Sequence, residues 1–192
     1  MDHKEAIVQA ATALMVEKEN HLDEITVREI CKRAGVGLGL VNYYFGSKEN
    51  LVGLCVERKI NAVIGQFRKM QEETDALAPL EKLDLLGSMT LNFLFGHGSV
   101  SKISVLADMQ SPRAGDNTHR TYQAYLPLVA ACRPDWEEET VRRKTFCLIT
   151  IMQQAFLRQE VVSQMLGIDL GTEAGRRAFH TQILHDILEV SQ

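Results

Sequence analysis

The sequence predicts an all-α protein with a small three-helix unit at its N-terminus and a larger helical body after it. Apolar residues recur at helical spacing along most of the 192 residues, and no stretch of useful length alternates apolar and polar residues as a strand does. A further observation is the segment 26–48, which has the pattern of two short helices joined by a glycine-containing turn.

The first of these short helices has clear start and end signals. Thr26 and Glu29 have the spacing of a capping box, in which each side chain bonds the backbone amide of the other residue. Gly35 suits the left-handed conformation that often ends a helix. Apolar residues face inward at Val27, Ile30, Cys31 and Ala34. A preceding helix over about residues 3–19 completes a three-helix unit.

The second short helix is predicted to run from about residue 37 or 38 to 44, with Val41 and Phe45 buried. Its outward face then consists of Leu38, Gly39, Asn42 and Tyr43. Such a face suits a surface that meets base edges, because Leu38 can touch a thymine methyl and Asn42 can pair with adenine. The helix-turn-helix pattern places its second helix in the DNA major groove. The alternative is a plain amphipathic hairpin with an aromatic end.

A long fourth helix is predicted over about residues 47–73, with Ser47 as its N-cap. Lys48 at the helix start opposes the helix dipole, so a contact with a DNA phosphate explains it better than local stability does. The helix is apolar on more than one face, which indicates that it lies between other elements. We therefore expect it to connect the three-helix unit to the body and to transmit a signal between them.

At these residues the sequence resembles the N-terminal domain of the tetracycline-repressor (TetR) family. The resemblance covers about residues 3–60 and rests on Val27-Arg28-Glu29-Ile30, Ala34-Gly35-Val36, Gly39, Tyr43-Tyr44-Phe45 and Ser47-Lys48-Glu49-x-Leu51. It implies a dimeric, all-helical, ligand-responsive transcription regulator, usually a repressor. Residues 37, 40 and 42 depart from the types frequent in the family.

The resemblance also implies which residues lie near DNA. Those expected near bases are Arg28, Leu38, Gly39, Asn42 and Tyr43, and those expected near phosphates are Thr26, Tyr44 and Lys48. Gly37, at the start of the second short helix, completes the candidate DNA-binding set.

The remainder of the chain is predicted to be helical. Helices are expected over about 79–95, 100–110, 118–132, 136–166 and 172–190. Pro127 predicts a kink or break within the third of these, and Asp135 is expected to cap the fourth. Because one recognition helix reads few bases, we expect the two C-terminal helices to form a homodimer that presents two such helices to DNA.

The middle helices, over 79–132, are rich in Met, Phe and Leu and carry few charges, which suits either an ordinary core or a ligand cavity. The expected effector is small and partly apolar. The candidate ligand-binding residues are Met89, Asn92, Phe93, Met109, Tyr122, Tyr125, Gln153 and Phe156. For each of them ordinary packing or solvent exposure is the alternative.

Composition excludes several other classes. The formal net charge is −4, and residues 1–60 contain eight Lys/Arg and nine Asp/Glu, so a basic face would require segregation of charge. Cys31, Cys55, Cys132 and Cys147 lack metal-site spacing, which favours reduced thiols in a cytoplasmic protein. No apolar run is long enough for a membrane span, and no catalytic motif or metal-binding pattern occurs. We expect no enzymatic activity and no cofactor.

These patterns together predict a DNA-binding domain over residues 1–46 and a helical regulatory, ligand-binding and dimerisation domain over residues 47–192. The predicted function is a regulator, with repressor as the first choice, that a small molecule releases from a palindromic double-stranded DNA operator. An activator or a co-repressor-dependent protein is the alternative within this class. A helical small-molecule carrier or enzyme with a vestigial DNA-binding head is the alternative outside it.

Overall fold

The computed structural model describes residues 2–18, 24–73 and 77–189, and within the fourth helix it leaves out the side chains of residues 63, 64, 67, 68 and 70–73. This part of the chain forms helices and contains no strand. The helices are α1 (His3–Glu17), α2 (Val27–Ala34), α3 (Gly39–Phe45), α4 (Lys48–Glu73), α5 (Pro79–Gly96), α6 (Gly98–Gln110), α7 (Asn117–Cys132), α8 (Glu138–Leu157), α9 (Gln159–Leu166) and α10 (Glu173–Leu188). The predicted all-α class is confirmed.

The head, which we define as α1 to α3, packs around one apolar core. Val41, on the inner side of α3, is fully buried and belongs to the same cluster as Ile7, Ile30 and Met15. The cluster continues into the first turns of α4 through Leu51 and Cys55. The core of the head therefore crosses the predicted domain boundary between residues 46 and 47, and the start of α4 packs as part of the head.

The body, α5 to α10, has a second and larger core. It contains the fully buried residues Leu83, Leu91, Leu148 and Leu170 and the buried ring of Tyr125. Val100 of α6 is the exception, because it packs with the head cluster rather than with the body. The two cores thus meet where α4 and α6 touch.

Two sequence predictions for the body are wrong. The single helix expected over 136–166 is divided at Arg158 into α8 and α9, although neither glycine nor proline stands there. Asp135 does not cap α8, because its carboxylate is held by the Arg133 guanidinium at 2.7 Å and Glu137 occupies the N-cap position. Ser163 of α9 accepts from the amide of the buried Leu170, which ties α9 to the chain that follows it.

Other predicted features have mixed outcomes. Helix α7 continues through Pro127, so the expected break does not occur. The predicted N-cap Ser47 is confirmed, because its hydroxyl accepts a hydrogen bond from the Asn50 amide. Thr172 caps α10 in the same way, through a hydrogen bond from the Gly175 amide. The last helix ends at Leu188, and its predicted end at residue 190 lies outside the described residues.

Candidate nucleic-acid interface and internal cavity

Helix α2 is anchored by the predicted capping box. The Thr26 hydroxyl accepts from the Glu29 amide at 3.2 Å, and the Glu29 carboxylate accepts from the Thr26 amide at 3.0 Å. Lys18 of the α1 end donates to the same carboxylate at 2.8 Å. The hydrogen bond from Lys18, with that from the Thr26 amide next, lowers the pKa of Glu29 to about 2. The start of α2 is thereby tied to α1.

The turn between α2 and α3 uses the conformation that its glycine predicts. Gly35 has φ +67°, and the Val36 amide donates to the Cys31 carbonyl at 3.0 Å. Gly46, which follows α3, also has a positive φ of 78°. These two turns fix α3 as a separate short helix whose Val41 side is inside and whose opposite side is free to face outward.

The outward orientation predicted for α3 is confirmed. The side chain of Tyr43 is 79% exposed and that of Leu38 is 54% exposed, and Gly39 and Asn42 are also exposed. Tyr44 is half-buried and packs edge-to-face against Tyr43, with ring centroids 5.0 Å apart. An apolar residue, a glycine, an amide and a phenol thus share one open surface, which we call the α3 face.

The charges around the α3 face are arranged by ion pairs. Glu17 binds Arg33 at 2.6 Å, Glu29 binds Lys18 at 2.8 Å, and Glu5 binds Arg58 at 2.7 Å. These three carboxylates are therefore neutralised by basic residues of the head and of α4. Arg28 and Lys32 of α2 are exposed and take no part in these three pairs.

Lys48 stands at the first position of α4 and is half-buried. Its ammonium donates to the Ile25 carbonyl at 3.0 Å, which joins the α4 start to the segment before α2. An ammonium has three donors, so this bond leaves capacity for a phosphate oxygen. The remaining candidate residues of the head, Thr26, Arg28 and Gly37, are all exposed. Their contacts with DNA remain predictions.

An internal cavity of about 40 Å³ lies in the body next to α4. Its walls come from α4, α5, α6, α7 and α8. The apolar part of the wall consists of Ile60, Phe93, Leu94, Val105, Ile149 and Met152. Since Ile60 belongs to α4, the cavity reaches the helix that begins in the head.

One side of the cavity is polar. Asp108 of α6 accepts from the Thr118 amide at 2.8 Å and from the Thr118 hydroxyl at 2.9 Å, both through Oδ2. Gln153 of α8 donates to the Thr118 hydroxyl at 2.9 Å, and Asn117 donates to Ser104 at 2.9 Å. Burial raises the pKa of the Asp108 carboxyl above its usual value, although the bonds from Thr118 oppose this.

The structure brings together only part of the predicted ligand-binding set. Phe93 and Gln153 line the cavity. Tyr125 is buried beside it and donates to Thr90, a cavity residue, at 2.8 Å. Asp108, Thr118 and the other hydroxyl residues of the polar side were not predicted from the sequence. The available signal was Asp108 itself, a carboxylate in the largely apolar segment 98–110.

The other predicted ligand residues lie elsewhere. Met89 and Asn92 line an open groove between α5 and α10, where Asn92 accepts from Arg176 at 3.0 Å. Met109 is 46% exposed. Tyr122 packs edge-to-face on His119, and Phe156 packs edge-to-face on Phe95. None of these five residues is among those that line the cavity.

Other kinds of site receive no support in the described ranges. No group of three or more His, Cys, Asp or Glu residues there is placed to hold a metal ion. Within the same ranges, no helix has the length and hydropathy needed to cross a membrane.

A three-helix head whose third helix, α3, has an exposed face, joined by one long helix to a helical body, defines this chain as a helix-turn-helix protein. The family model for bacterial regulatory proteins of the tetR family matches residues 7–55. This segment corresponds to the head and the start of α4, so this part of the chain is similar to the DNA-binding part of that family.

Comparisons with individual proteins agree with this assignment. The HTH-type transcriptional dual regulator CecR of Shigella flexneri is 40% identical over 52 residues, which are 27% of this chain and 23% of that protein. The chain thus aligns with about a quarter of this curated relative. A solved structure of RolR in complex with resorcinol has a TM-score of 0.70 at 15% identity, covering 97% of this chain and 91% of that one.

A second solved structure covers a similar share of the chain. FadR of Thermus thermophilus, a TetR-family transcriptional repressor in complex with lauroyl-CoA, has a TM-score of 0.69 at 17% identity. The alignment covers 98% of this chain and 96% of that one. At these identities the two solved structures show that the whole chain, including α5 to α10, has the same fold.

Proposed function

We propose that this protein is a homodimeric transcription regulator that represses from a palindromic DNA operator and leaves it when a small molecule binds the body. The observation that carries the proposal is the α3 face. Leu38 and Tyr43 are large, exposed and adjacent to Asn42, on a helix held by a capped partner helix and two glycine turns. An ordinary solvent-facing helix has no need of such a surface.

The α3 face supports direct reading of bases in the major groove. Asn42 offers an amide for adenine, and Leu38 offers an apolar contact for a thymine methyl. Arg28 and Lys32 of α2, which lie outside the ion pairs of the head, provide positive charge for the flanking phosphates. Lys48 at the α4 start provides a further phosphate contact.

Dimerisation is proposed because one α3 helix covers too few bases for tight binding. Two copies of α3 held about 34 Å apart would enter successive major grooves on one side of the duplex. The C-terminal helices offer an apolar surface for this pairing, since several large side chains of α8 and α9 are exposed. They are Phe146, Val161, Met165 and Leu166.

The cavity is proposed as the effector site, and α4 as the element that transmits the signal. RolR and FadR of this fold were solved with resorcinol and lauroyl-CoA, which supports a small-molecule site in the body of this chain as well. Ile60 of α4 lines the cavity directly. Arg120 of α7 reaches α4 as well, with an ion pair to Glu57 at 2.5 Å and a hydrogen bond to Asn61 at 3.4 Å.

This arrangement gives the ligand two ways to act on the head. A ligand that pushes Ile60 moves α4 itself, and one that rearranges Thr118 moves the turn of α7 that carries Arg120. Repression is relieved if the ligand prefers the arrangement in which the two α3 helices do not match the groove spacing. Because the head core includes the first turns of α4, the head follows any tilt of that helix.

Selection of DNA tests the proposal. The full-length protein is incubated with random-sequence duplexes, the bound duplexes are amplified and sequenced, and the affinity of the enriched sequence is measured at rising salt. We expect an inverted repeat and an affinity that falls as salt rises. No enrichment, or binding that does not depend on salt, would instead favour a carrier with a vestigial head.

A further inference from the structure

The cavity in the body has a composition that restricts its ligand. About two-fifths of the residues along its wall are apolar and include the Phe93 ring and the Met152 thioether. A wall of this kind favours a ligand with an apolar body. The polar residues gather on the α6 and α7 side, so the polar part of a ligand would face Asp108, Ser101 and Thr118.

Asp108 is positioned as a hydrogen-bond acceptor for a ligand. Both bonds from Thr118 go to Oδ2, at 2.8 and 2.9 Å. In the parts of the chain that the structure covers, no hydrogen bond is formed to Oδ1. Gln153 fixes the Thr118 hydroxyl from the opposite helix at 2.9 Å, so the carboxylate is held in place while one oxygen stays available.

Ser101 provides an independent indication. Its residue is 1% exposed, and its hydroxyl oxygen has no hydrogen-bond partner among the residues described. A buried hydroxyl without a partner is costly, and each such group in a folded protein calls for an explanation. Ser101 lines the same cavity as Asp108 and lies on the same helix, two turns earlier. A polar group of a ligand placed between them would satisfy both.

The charge of the wall decides which polar groups fit. Among the described residues that line the cavity, Asp108 is the ionisable one, and none of them is Lys, Arg or His. An anionic ligand would therefore meet a carboxylate without a compensating cation, in a site where burial disfavours charge. A group that donates hydrogen bonds meets an acceptor on Asp108 and a second one on Ser101.

We propose that the cavity binds a small, largely apolar molecule whose single polar group is a non-anionic hydrogen-bond donor, a hydroxyl or an ammonium, received by Asp108 and Ser101. Its role as the effector rests on the proposed function, whereas its binding does not depend on DNA. The donor group bonds Asp108 Oδ1 and the Ser101 hydroxyl, and the apolar body lies against Ile60, Phe93 and Met152.

The size of the cavity links this ligand to movement. A volume of about 40 Å³ is far below the ~150 Å³ of a cavity that binds benzene. An aromatic ligand therefore enters only if the walls separate, and Ile60 places α4 among those walls. Binding of such a ligand is therefore expected to displace α4.

Four compounds of similar size test the ligand class on the full-length protein without DNA. They are benzyl alcohol, benzylamine, benzyl methyl ether and benzoate, and binding is followed by ligand-observed NMR and calorimetry. We expect the two donors to bind about tenfold or more tightly than the ether and the anion, because only they satisfy a charged acceptor. Equal binding of alcohol and ether, tighter binding of benzoate, or no binding by any of the four at millimolar concentration overturns the proposal.

Variants of the cavity residues test whether the donor compounds bind at Asp108 and Ser101. Ser101→Ala should weaken both donors, and Asp108→Asn should weaken benzylamine most, because the amide keeps an acceptor for Thr118 but loses the charge. Asp186→Asn, an exposed change on α10, is the control and should leave both affinities unchanged. Equal affinities in wild type and Ser101→Ala contradict the assignment even if Asp108→Asn does not fold.

Whether the bound ligand releases DNA is tested separately from whether it binds. If the donors bind but the selected duplex stays bound, the ligand class stands and the proposed function fails. If the duplex is bound as an inverted repeat but alcohol and ether bind alike, the proposed function stands and the ligand class fails.

Discussion

The head and the body of this chain present their polar groups in opposite ways. On the α3 face, Asn42 and Tyr43 project into solvent from a short helix, and no described residue of the head buries them. In the body, Asp108 and Ser101 turn inward to a small cavity and are held by neighbouring helices. The first surface suits a large partner that arrives from outside, and the second suits a small molecule that must be enclosed.

The two sites also differ in the interactions that hold their residues in place. The α3 face depends on local signals, namely one capping box and two glycines with positive φ. The cavity depends on residues that lie far apart along the chain, since Gln153 reaches Thr118 across 35 positions. A change in the packing of the body should therefore damage the cavity while the head keeps its structure.

The largest effect is expected from Gly87→Ala in α5. A Cβ at this buried position would overlap the imidazole of His180, which is fully buried and held by Asp84 at 3.1 Å. We expect the body to lose about 3 kcal/mol or more of unfolding free energy, because overpacking forces the ring from its place. Urea denaturation measures the loss, and hydrogen exchange of the α2 amides should change little.

Two further variants check this explanation. Gly53→Ala in α4 meets no atom within 4 Å and is exposed, so it should be stabilising by up to about 1 kcal/mol. Adding His180→Ala to Gly87→Ala should recover part of the loss, because the smaller side chain makes room. A Gly87→Ala protein as stable as wild type would show that the contact between α5 and α10 is not tight.

The next effect concerns recognition of bases by the head. Arg28→Ala and Asn42→Ala should each relax the preference at particular base pairs by roughly 1–3 kcal/mol if these side chains read bases. Selection from random duplexes with each variant measures the preference. An unchanged sequence profile would refute the assignment for that residue.

Lys48→Ala is the comparison variant for base reading. Its ammonium is placed for a phosphate rather than a base, so the loss of affinity should be similar for all sequences. Because Lys48 also bonds the Ile25 carbonyl, its thermal stability should be measured beside its DNA affinity. A loss confined to one base pair would place Lys48 among the residues that read sequence.

A smaller effect is expected where the body meets the head. Arg120→Ala removes the ion pair with Glu57 and the bond to Asn61, which join α7 to α4. The coupling between ligand and DNA binding should fall by roughly 0.5–2 kcal/mol, while DNA affinity without ligand changes less. Anisotropy titrations of the selected duplex with and without benzyl alcohol measure both the DNA affinity and its coupling to ligand binding.

Arg142→Ala serves as the control for Arg120→Ala. Arg142 pairs with Glu138 within α8 on the exposed side of the body, away from α4. Its removal should leave the coupling unchanged. If both variants reduce the coupling equally, the signal does not pass through the α7–α4 contact.

The smallest effect is a pH dependence in the head. The pKa of Glu29 is about 2 in the folded protein, below its ordinary value of 4.5. A lowered folded pKa means that the carboxylate stabilises α2 above pH 4.5 and that this contribution disappears as the pH falls toward 2. Hydrogen exchange of the α2 amides between pH 5 and pH 2.5 should show this, and Glu29→Gln should reduce the dependence.

The head was predictable from the sequence because its signals are local. Thr26, Glu29 and Gly35 each act within four residues, so the start, end and faces of α2 and α3 follow from spacing alone. The cavity was not predictable in this way. Ser101, Ser104 and Thr118 are ordinary residues in sequence and become part of one wall only through the packing of α6 and α7, whereas Phe93 and Gln153 were predicted.

The division of α8 from α9 shows the same limit. Neither glycine nor proline marks Arg158, and the apolar spacing continues across it. The helix ends there in a context that includes the buried Leu170 and its bond to Ser163, which are tertiary features. Helical spacing thus predicts that a segment is helical better than it predicts where tertiary packing interrupts it.

The most direct test of the central claim moves the two halves of the selected operator apart. Two α3 helices that enter successive major grooves require half-sites about 10 base pairs apart on one side of the duplex. Inserting 5 base pairs between the half-sites turns one of them to the opposite side. If both α3 helices read the operator, the affinity falls at least about tenfold, a loss of roughly 1.4 kcal/mol. Unchanged affinity for the lengthened operator would contradict the central claim.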